Sequence, residues 1–346
     1  MLVCKMKVKA FIIHSSSMDI RKQRMETLID TFKKKNSAEF SVTFEYASEF
    51  DPQTLKQEDV INKVNLSKLN NGELFDSLIR NLHVNQISNA LKHSSVIAKI
   101  AEDTSGADAF LVLEDDALNG DDVVEKLKEV VTEVTGPRAA SYDLVFLGLP
   151  SLVPLESNKM QFKATSDFYK IFPCCDSYIG TKAAFAKLAA SWYPIKYTTN
   201  IQLSYISQTY KVNTHMVVPN VFLDGSKYGA YLSSVDANSK LVFNPDFNKL
   251  AMLVNQYAST FTTATTTAND AIKKEIDTAF DLIKFKNHPD VMHLSAVHLI
   301  NQGDYAKAET ILENIYTIVS QNGCVINSET EFLRTYIKLS KFTQTV

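Results

Sequence analysis

The stretch FLVLEDD, residues 110–116, decides how the rest of this chain is interpreted. Its first four residues are all apolar, as expected of a parallel strand that is buried on both faces. The carboxylates that follow, Glu114, Asp115 and Asp116, are too costly to bury without partners, so they must face water, a cation or a ligand. In open α/β sheets, ligands bind just outside the carboxyl ends of strands, which is where this acidic triplet falls.

Acidic side chains at such a position suit a hard divalent cation, Mg2+ or Mn2+, which in turn suits a phosphate-bearing substrate. The alternative is that the acids only cap a helix, because carboxylates favour a helix N-terminus. A helix is predicted from about Val123 to Thr132, but Asp121 and Asp122 already lie at its start. The triplet is therefore left without a capping task, and we favour a metal or ligand role.

Composition narrows the class of protein. The chain has 346 residues, 45% of them hydrophobic and 22% charged, which is ordinary for a soluble globular protein of one or two domains. A net charge of −3 gives no basic surface for nucleic acid, and no apolar run approaches the ~20 residues of a membrane span. No metal-ligand spacing connects the four cysteines, which predicts reduced thiols and a cytoplasmic location; they are Cys4, Cys174, Cys175 and Cys324.

The order of predicted elements indicates an α/β fold. Strand patterns at 8–13, 40–46, 110–113 and 143–148 alternate with helical patterns, one of which runs from 75 to 101. This alternation predicts a mostly parallel, Rossmann-like sheet flanked by helices.

Beyond the α/β part, composition predicts a separate helical region. The threonine-rich segment STFTTATTT suggests a linker, so we expect an α/β domain over 1–258, a linker over 259–270 and a small all-α region over 271–346. Residues 293–315 have the spacing of one tetratricopeptide-like helical pair. Because a single repeat cannot form an array, these helices are expected to pack on the first domain or on a protein partner.

Several segments, in order, resemble glycosyltransferase family 25. They are the strand and turn at 12–25, SNALKH at 88–93, LEDD at 113–116 and, more weakly, 177–188; the resemblance covers about residues 8–235. The family has a GT-A fold and moves a sugar from a nucleotide-sugar donor. His14 and Lys92 stand where the family has Asn and Ser, and its downstream Asp is replaced near Asn200.

The resemblance implies that Asp116 ligates a Mn2+ or Mg2+ ion and that Glu114 contacts the donor's ribose or a metal-bound water. Asp115 could do either. The turn at 14–17 lies at a strand's carboxyl end, where it could hold the base, although a capping turn is the alternative. Gln86, Asn89 and His93 share one helix face, which predicts either a wet cleft or a polar outer surface. The expected donor-binding residues are His14, Ser15, Ser16, Arg21, Gln86, Asn89, His93, Glu114, Asp115, Asn200 and Ser226.

Two assignments stay open at this point. The third metal ligand is His215, Asp224 or His14, and we favour Asp224 because the loop 224–229 is flanked by glycine. Asp176 is the candidate general base, unless the reaction retains configuration and needs none. In the same loop as Asp224, Lys227 is placed to neutralise the departing diphosphate. Asp176, Asp224 and Lys227 are therefore the candidate catalytic residues.

The sequence thus predicts a metal-dependent hexosyl- or pentosyltransferase (EC 2.4) that moves a sugar, in our expectation from a UDP-sugar, to a hydroxyl group of a glycan or protein. Two rivals are a catalytically inactive sugar-nucleotide fold acting as a scaffold, and a metal-dependent phosphohydrolase. The second predicts clustered histidines, whereas the seven histidines of this chain are scattered.

Overall fold

The computed structural model describes residues 6–61, 63–64, 82, 84–149, 159–228, 245–260, 266–283, 286–321, 330–335 and 337. The chain forms two compact units, Met1–Asp224 and Gly225–Val346. None of the helices in the described ranges is both long enough and apolar enough to cross a membrane.

The first unit is built on a seven-stranded sheet with the order β2-β1-β3-β7-β5-β8-β6. Five of these strands run in one direction, and β7 and β6 run against them. A separate antiparallel pair joins β4 to β9. The strands are β1 Met6–Ile13, β2 Phe40–Ala47, β3 Ala109–Glu114, β4 Ala117–Asn119, β5 Leu144–Phe146, β6 Gln161–Ala164, β7 Ser177–Gly180, β8 Thr214–Val218 and β9 Phe222–Asp224.

Helices cover both faces of this sheet, as the apolar character of its central strands requires. In β3, Phe110 and Val112 enter one apolar cluster, whereas Leu111 and Leu113 enter the other. The first cluster includes residues of α3, α5 and α6, and the second includes residues of α1 and α4. The helices are α1 Asp19–Lys35, α2 Gln57–Ile61, α3 Val84–Glu102, α4 Val123–Thr135, α5 Lys182–Ser191 and α6 Thr199–Thr209.

The α/β fold class predicted from the sequence is therefore confirmed: a mostly parallel sheet flanked by helices and followed by a helical region, consistent with a GT-A-like arrangement. The helix predicted over 75–101 is present from Val84 onwards, while 75–81 and 83 lie outside the described residues.

The second unit contains α7 Gly225–Tyr228, α8 Pro245–Thr260, α9 Thr266–Leu282, α10 Pro289–Asn301 and α11 Tyr305–Gln321. Helices α10 and α11 pack as a pair around a small apolar cluster that contains Ala296, Ala308 and Leu312. The helical pair predicted over 293–315 corresponds to these two helices.

The boundaries of the helical region differ from the prediction. Residues 259–260 complete α8, residues 266–270 begin α9, and the boundary between the compact units falls after Asp224 rather than after 258. The physical reason is that α8 shares an apolar cluster with α9, built from Phe247, Leu250, Leu253, Val254, Tyr257, Ile276, Ala279 and Ile283. Threonine content alone suggested a linker, but this packing outweighs it. The middle of the threonine run, 261–265, lies outside the described residues.

A second correction concerns the loop expected at 224–229. Asp224 is the last residue of β9, and Gly225–Tyr228 form the short helix α7, so the segment leaves a strand directly into a helical turn.

The packing of α8 makes a prediction. Leu250 is fully buried in the α8–α9 cluster, whereas Met252 on the same helix is 61% exposed. Leu250→Ala should lower the free energy of unfolding by about 2–5 kcal/mol, as buried leucine truncations do, and Met252→Ala should change it by less than about 0.5 kcal/mol. Urea denaturation of the full chain measures both; equal effects of the two substitutions would contradict this packing.

Candidate functional site

The carboxyl edge of the sheet gathers acidic side chains from three parts of the chain. The acidic triplet begins at the last residue of β3, and the residue after the triplet, Ala117, pairs with Asp224 at the end of β9. Strand β7 runs antiparallel to β3, so Asp176, just before β7, lies at the same edge, and its carbonyl accepts a hydrogen bond from the Glu114 N–H at 2.7 Å. The resulting acidic cluster consists of Glu114, Asp115, Asp116, Asp176 and Asp224.

Asp115 is held by the protein itself. Its carboxylate contacts His14 Nδ1 at 2.8 Å and accepts from Arg21 Nη1 at 2.8 Å, with the Ser15 N–H at 3.4 Å. Burial alone would raise the pKa of Asp115, but the hydrogen bond with His14 and the charge of Arg21 hold it below the ordinary value. Asp115 thus connects the end of β3 to the turn after β1 and to α1. Its expected contact with a donor stays a prediction.

Arg21 is buried and does not lie on a solvated face of α1. In addition to its bond with Asp115, its Nη1 lies 3.6 Å from Asp116 Oδ2. Although desolvation opposes the charged guanidinium, Asp116 and Asp115 raise the pKa of Arg21, which therefore remains a fixed positive charge beside the acids.

Glu114 faces the polar stripe of α3, which is the helix face that carries Gln86, Asn89 and His93. Its Oε1 accepts from His93 Nε2 at 3.1 Å and from Asn89 Nδ2 at 3.3 Å, and the ring of His93 is fixed by Tyr178 Oη at 2.9 Å from Nδ1. Burial opposes ionisation of Glu114, yet the hydrogen bond and charge of His93 lower its pKa. The polar stripe of α3 therefore points into the site rather than to the outer surface.

The surroundings of Asp116 and Asp176 disfavour the charged form of their carboxyl groups. Asp116 Oδ1 is buried and has no hydrogen-bond partner among the described residues. Burial raises the pKa of Asp116 well above its ordinary value; Arg21 opposes this, while Asp224 and Glu114 add to it. Burial and then the charge of Asp224 raise the pKa of Asp176 to about 7. One ligand atom each from Cys174, Asp176 and Asp224 lies within 4.8 Å of the others.

These residues fit a hard divalent cation. Carboxylate oxygens are the ligands that Mg2+ and Mn2+ prefer, and a cation here would supply both a partner for Asp116 Oδ1 and the missing positive charge. Among the predicted ligands, Asp224 lies in the group with Cys174 and Asp176, and its charge acts on Asp116. That Asp116 and Asp224 ligate one ion stays a prediction. Glu114, the third predicted ligand, has one oxygen engaged by His93 and Asn89.

Four other residues contribute to the site without having been identified from the sequence. Tyr178 orients His93, and the buried thiols of Cys174 and Cys175 flank the acids, with Cys175 Sγ 3.7 Å from Glu114 Oε1. Gly148 is needed because a Cβ there would lie 2.3 Å from Asp176 Oδ2. Only their position next to Asp176 in the sequence could have indicated that Cys174 and Cys175 belong to the site.

The structure does not bring every candidate to the acids. His215 lies near the start of β8, which runs parallel to β3, so it is at the opposite edge of the sheet and is removed as a ligand candidate. Asn200 donates to the Phe172 carbonyl at 2.9 Å, which gives it a structural task at the start of α6.

The other donor-binding candidates have different positions. Ser16 is exposed and bonds Asp51 rather than the acidic cluster, and Gln86 is half-buried near the start of α3. Ser226 and Lys227 belong to α7 in the second unit, and their roles stay predictions.

Comparisons with known proteins give little further guidance. No family model matches the chain, and no curated protein matches it. Among solved structures, the crystal structure of S. aureus TarS 1-349 is similar with a TM-score of 0.35 and 10% sequence identity, over 97% of this chain and 92% of that one.

The raised pKa of Asp176 predicts a pH dependence of stability. An unfolded aspartate releases its proton near pH 4, whereas the folded one keeps it to about pH 7, so the free energy of unfolding falls as pH rises through this window. Asp176→Asn removes this loss. The variant should therefore gain stability over the wild type, by on the order of a few kcal/mol, between pH 5 and pH 8.

Thermal unfolding with a chelator present measures this difference. Asp30→Asn on the exposed face of α1 is the matched control, and it should follow the wild type at each pH. Parallel pH profiles for the wild type and Asp176→Asn would contradict the assignment.

Proposed function

We propose that this protein is a metal-dependent glycosyltransferase that moves a hexosyl or pentosyl group from a nucleotide-sugar donor, a UDP-sugar in our expectation, to a hydroxyl group of a glycan or protein. The observation that carries the proposal is the buried carboxylate oxygen of Asp116, which has no hydrogen-bond partner within the described part of the chain and lies near Asp224 at the carboxyl edge of an α/β sheet.

The chemistry of sugar transfer matches this charge distribution. A nucleotide-sugar donor releases a diphosphate, on which negative charge grows in the transition state. A bound Mn2+ or Mg2+ would stabilise that charge, and Asp116 and Asp224 are the residues that would hold it. Arg21 places a second fixed positive charge 3.6 Å from Asp116.

Within the acidic cluster, Glu114 is the residue that we propose contacts the ribose of the donor. Its side chain is 20% exposed, so it can be contacted by a ligand from solvent. The hydrogen bonds from His93 and Asn89 fix the position of one carboxylate oxygen in advance. Fixed acceptors of this kind bind a sugar hydroxyl with little loss of side-chain entropy.

Asp176 is the proposed general base. A base acts best when its pKa lies near the working pH, and the pKa of Asp176 is raised to about 7. The predicted roles of Ser226 and Lys227 at the donor, a protein partner for the C-terminal helices and a cytoplasmic location belong to the same proposal.

A second candidate function is favoured by one observation. The guanidinium of Arg21 already pairs with Asp115 at 2.8 Å and approaches Asp116, so part of the charge that a cation would neutralise is neutralised by the protein. A sugar-nucleotide-binding scaffold without turnover would use the site in this way. The two functions differ in product: only the transferase releases free nucleoside diphosphate when donor and acceptor are present.

Calorimetric titration with a panel of nucleotide sugars tests the proposal. Binding should require Mn2+ or Mg2+ and disappear with a chelator, because the buried acids otherwise repel the donor's phosphates. Asp116→Asn should weaken donor binding by about tenfold or more, which is ~1.4 kcal/mol. Its melting temperature in chelator should stay the same or rise, since a repelling charge is removed.

Asp121→Asn is the matched control, because this exposed acid lies only five residues along the chain. It should bind like the wild type. If the donor binds equally well with Mn2+ and with chelator, the proposed metal dependence is wrong.

A further inference from the structure

Helix α3 holds two consecutive residues of the loop that follows β2. Ser88 Oγ donates to the carbonyl of Phe50 at 2.6 Å, and Lys92 Nζ forms a buried ion pair with Asp51. Ser88 and Lys92 are four residues apart, so they lie on the same face of the helix, one turn from each other. Neither contact takes part in the acidic cluster.

The backbone of Phe50 is in an unusual conformation. Its φ of 63° lies in the left-handed region, which a bulky aromatic residue rarely adopts. Such residues persist only when their surroundings hold them in place, and they concentrate at functional sites. Here Ser88 bonds the carbonyl of Phe50, and the ammonium group of Lys63 lies 4.7 Å from the centre of its ring. The backbone conformation of Phe50 places the next residue, Asp51, against the turn after β1.

The Lys92–Asp51 pair is bonded to that turn at several points. Lys92 Nζ donates to the carbonyl of His14 at 2.6 Å, while Asp51 Oδ2 accepts from the Ser16 N–H at 3.0 Å and from the Ser16 hydroxyl. Lys92 is 3% exposed and Asp51 5% exposed. Burying two charges is costly, and a buried ion pair often adds no net stability. A gain in stability therefore does not by itself account for the Lys92–Asp51 pair.

His14 connects this network to the acidic cluster. Its carbonyl is held by Lys92, while its ring contacts Asp115 at 2.8 Å, so the turn is fixed both from α3 and from β3. The outer side of the turn is formed by Ser16 and Ser17, which are exposed.

We propose that Lys92 and Asp51 are positioning residues, and that their ion pair fixes the turn at 14–17 in the conformation that receives the nucleoside part of the donor. This inference rests on the proposed function. It also explains why a lysine occupies position 92, because the network needs a long side chain whose charge reaches both a carboxylate and a backbone carbonyl.

The test separates positioning from folding. Lys92→Met alone leaves Asp51 as an unpaired buried charge and is expected to unfold part of the domain. The informative variant is therefore Lys92→Met combined with Asp51→Asn, which restores the charge balance. The matched control is Lys99→Met on the same helix, where Lys99 pairs with the exposed Glu49.

Three measurements on the full chain are compared: melting temperature, amide hydrogen exchange over residues 14–17, and calorimetric affinity for uridine diphosphate with Mn2+. The paired variant should melt within a few degrees of the wild type, exchange faster at 14–17 and bind uridine diphosphate at least tenfold more weakly. Lys99→Met should match the wild type in all three. Conservative Lys92→Arg should keep part of the affinity, since it retains the charge.

Unchanged affinity for uridine diphosphate in the paired variant would overturn the inference. It would also be overturned if Lys92→Met lowered both affinity and melting temperature and the added Asp51→Asn restored both together, because the loss of affinity would then reflect only the loss of folding. If the wild type itself binds uridine diphosphate and every nucleotide sugar in the panel no better than buffer, the proposed function fails. That result is distinguishable, because it concerns the wild type and not the variant.

Discussion

Negative charge that the protein only partly neutralises is concentrated at one edge of the central sheet, and the rest of the site is arranged around it. The charge of Arg21 offsets that of Asp115, which also contacts His14, and His93 and Asn89 hold Glu114. Asp116 keeps a buried oxygen that has no hydrogen-bond partner among the described residues. Burial, and after it repulsion from neighbouring carboxylates, raises the pKa values of Asp116 and Asp176, so the site gains most from a ligand that brings positive charge.

The fold makes this concentration possible by directing several chain segments to the same edge. Strands β1 and β3 run parallel and end side by side, while β7 enters from the opposite direction, so its first residue, Ser177, pairs with Leu113, one residue before the end of β3. The short β4–β9 pair then brings Asp224 back beside the acidic triplet. The residues that surround the acids are therefore placed by sheet topology, and the helices α1 and α3 supply the cations and polar groups that hold them.

The sequence was sufficient where the signal was local. An apolar run followed by acids predicted both β3 and the position of the triplet, and the spacing of Asn89 and His93 predicted a polar face on α3 that the structure directs into the site. Partnerships across long stretches of chain could not be predicted in this way. The contacts of His14 with Asp115 and of Lys92 with Asp51 depend on how the strands are ordered, for which no local pattern exists. The linker predicted from threonine content does not separate α8 from α9, because apolar residues of the two helices pack in one cluster.

The central claim is that Asp116 and Asp224 hold a divalent cation at the carboxyl edge of the sheet. It is tested most directly by anomalous diffraction at the manganese edge from crystals grown with Mn2+ and uridine diphosphate. The account predicts one strong peak in coordination contact with Asp116 and Asp224, bridged to the diphosphate, and no such peak in Asp116→Asn crystals. A diphosphate bound at this edge without manganese, or a manganese peak away from these two carboxylates, would contradict it.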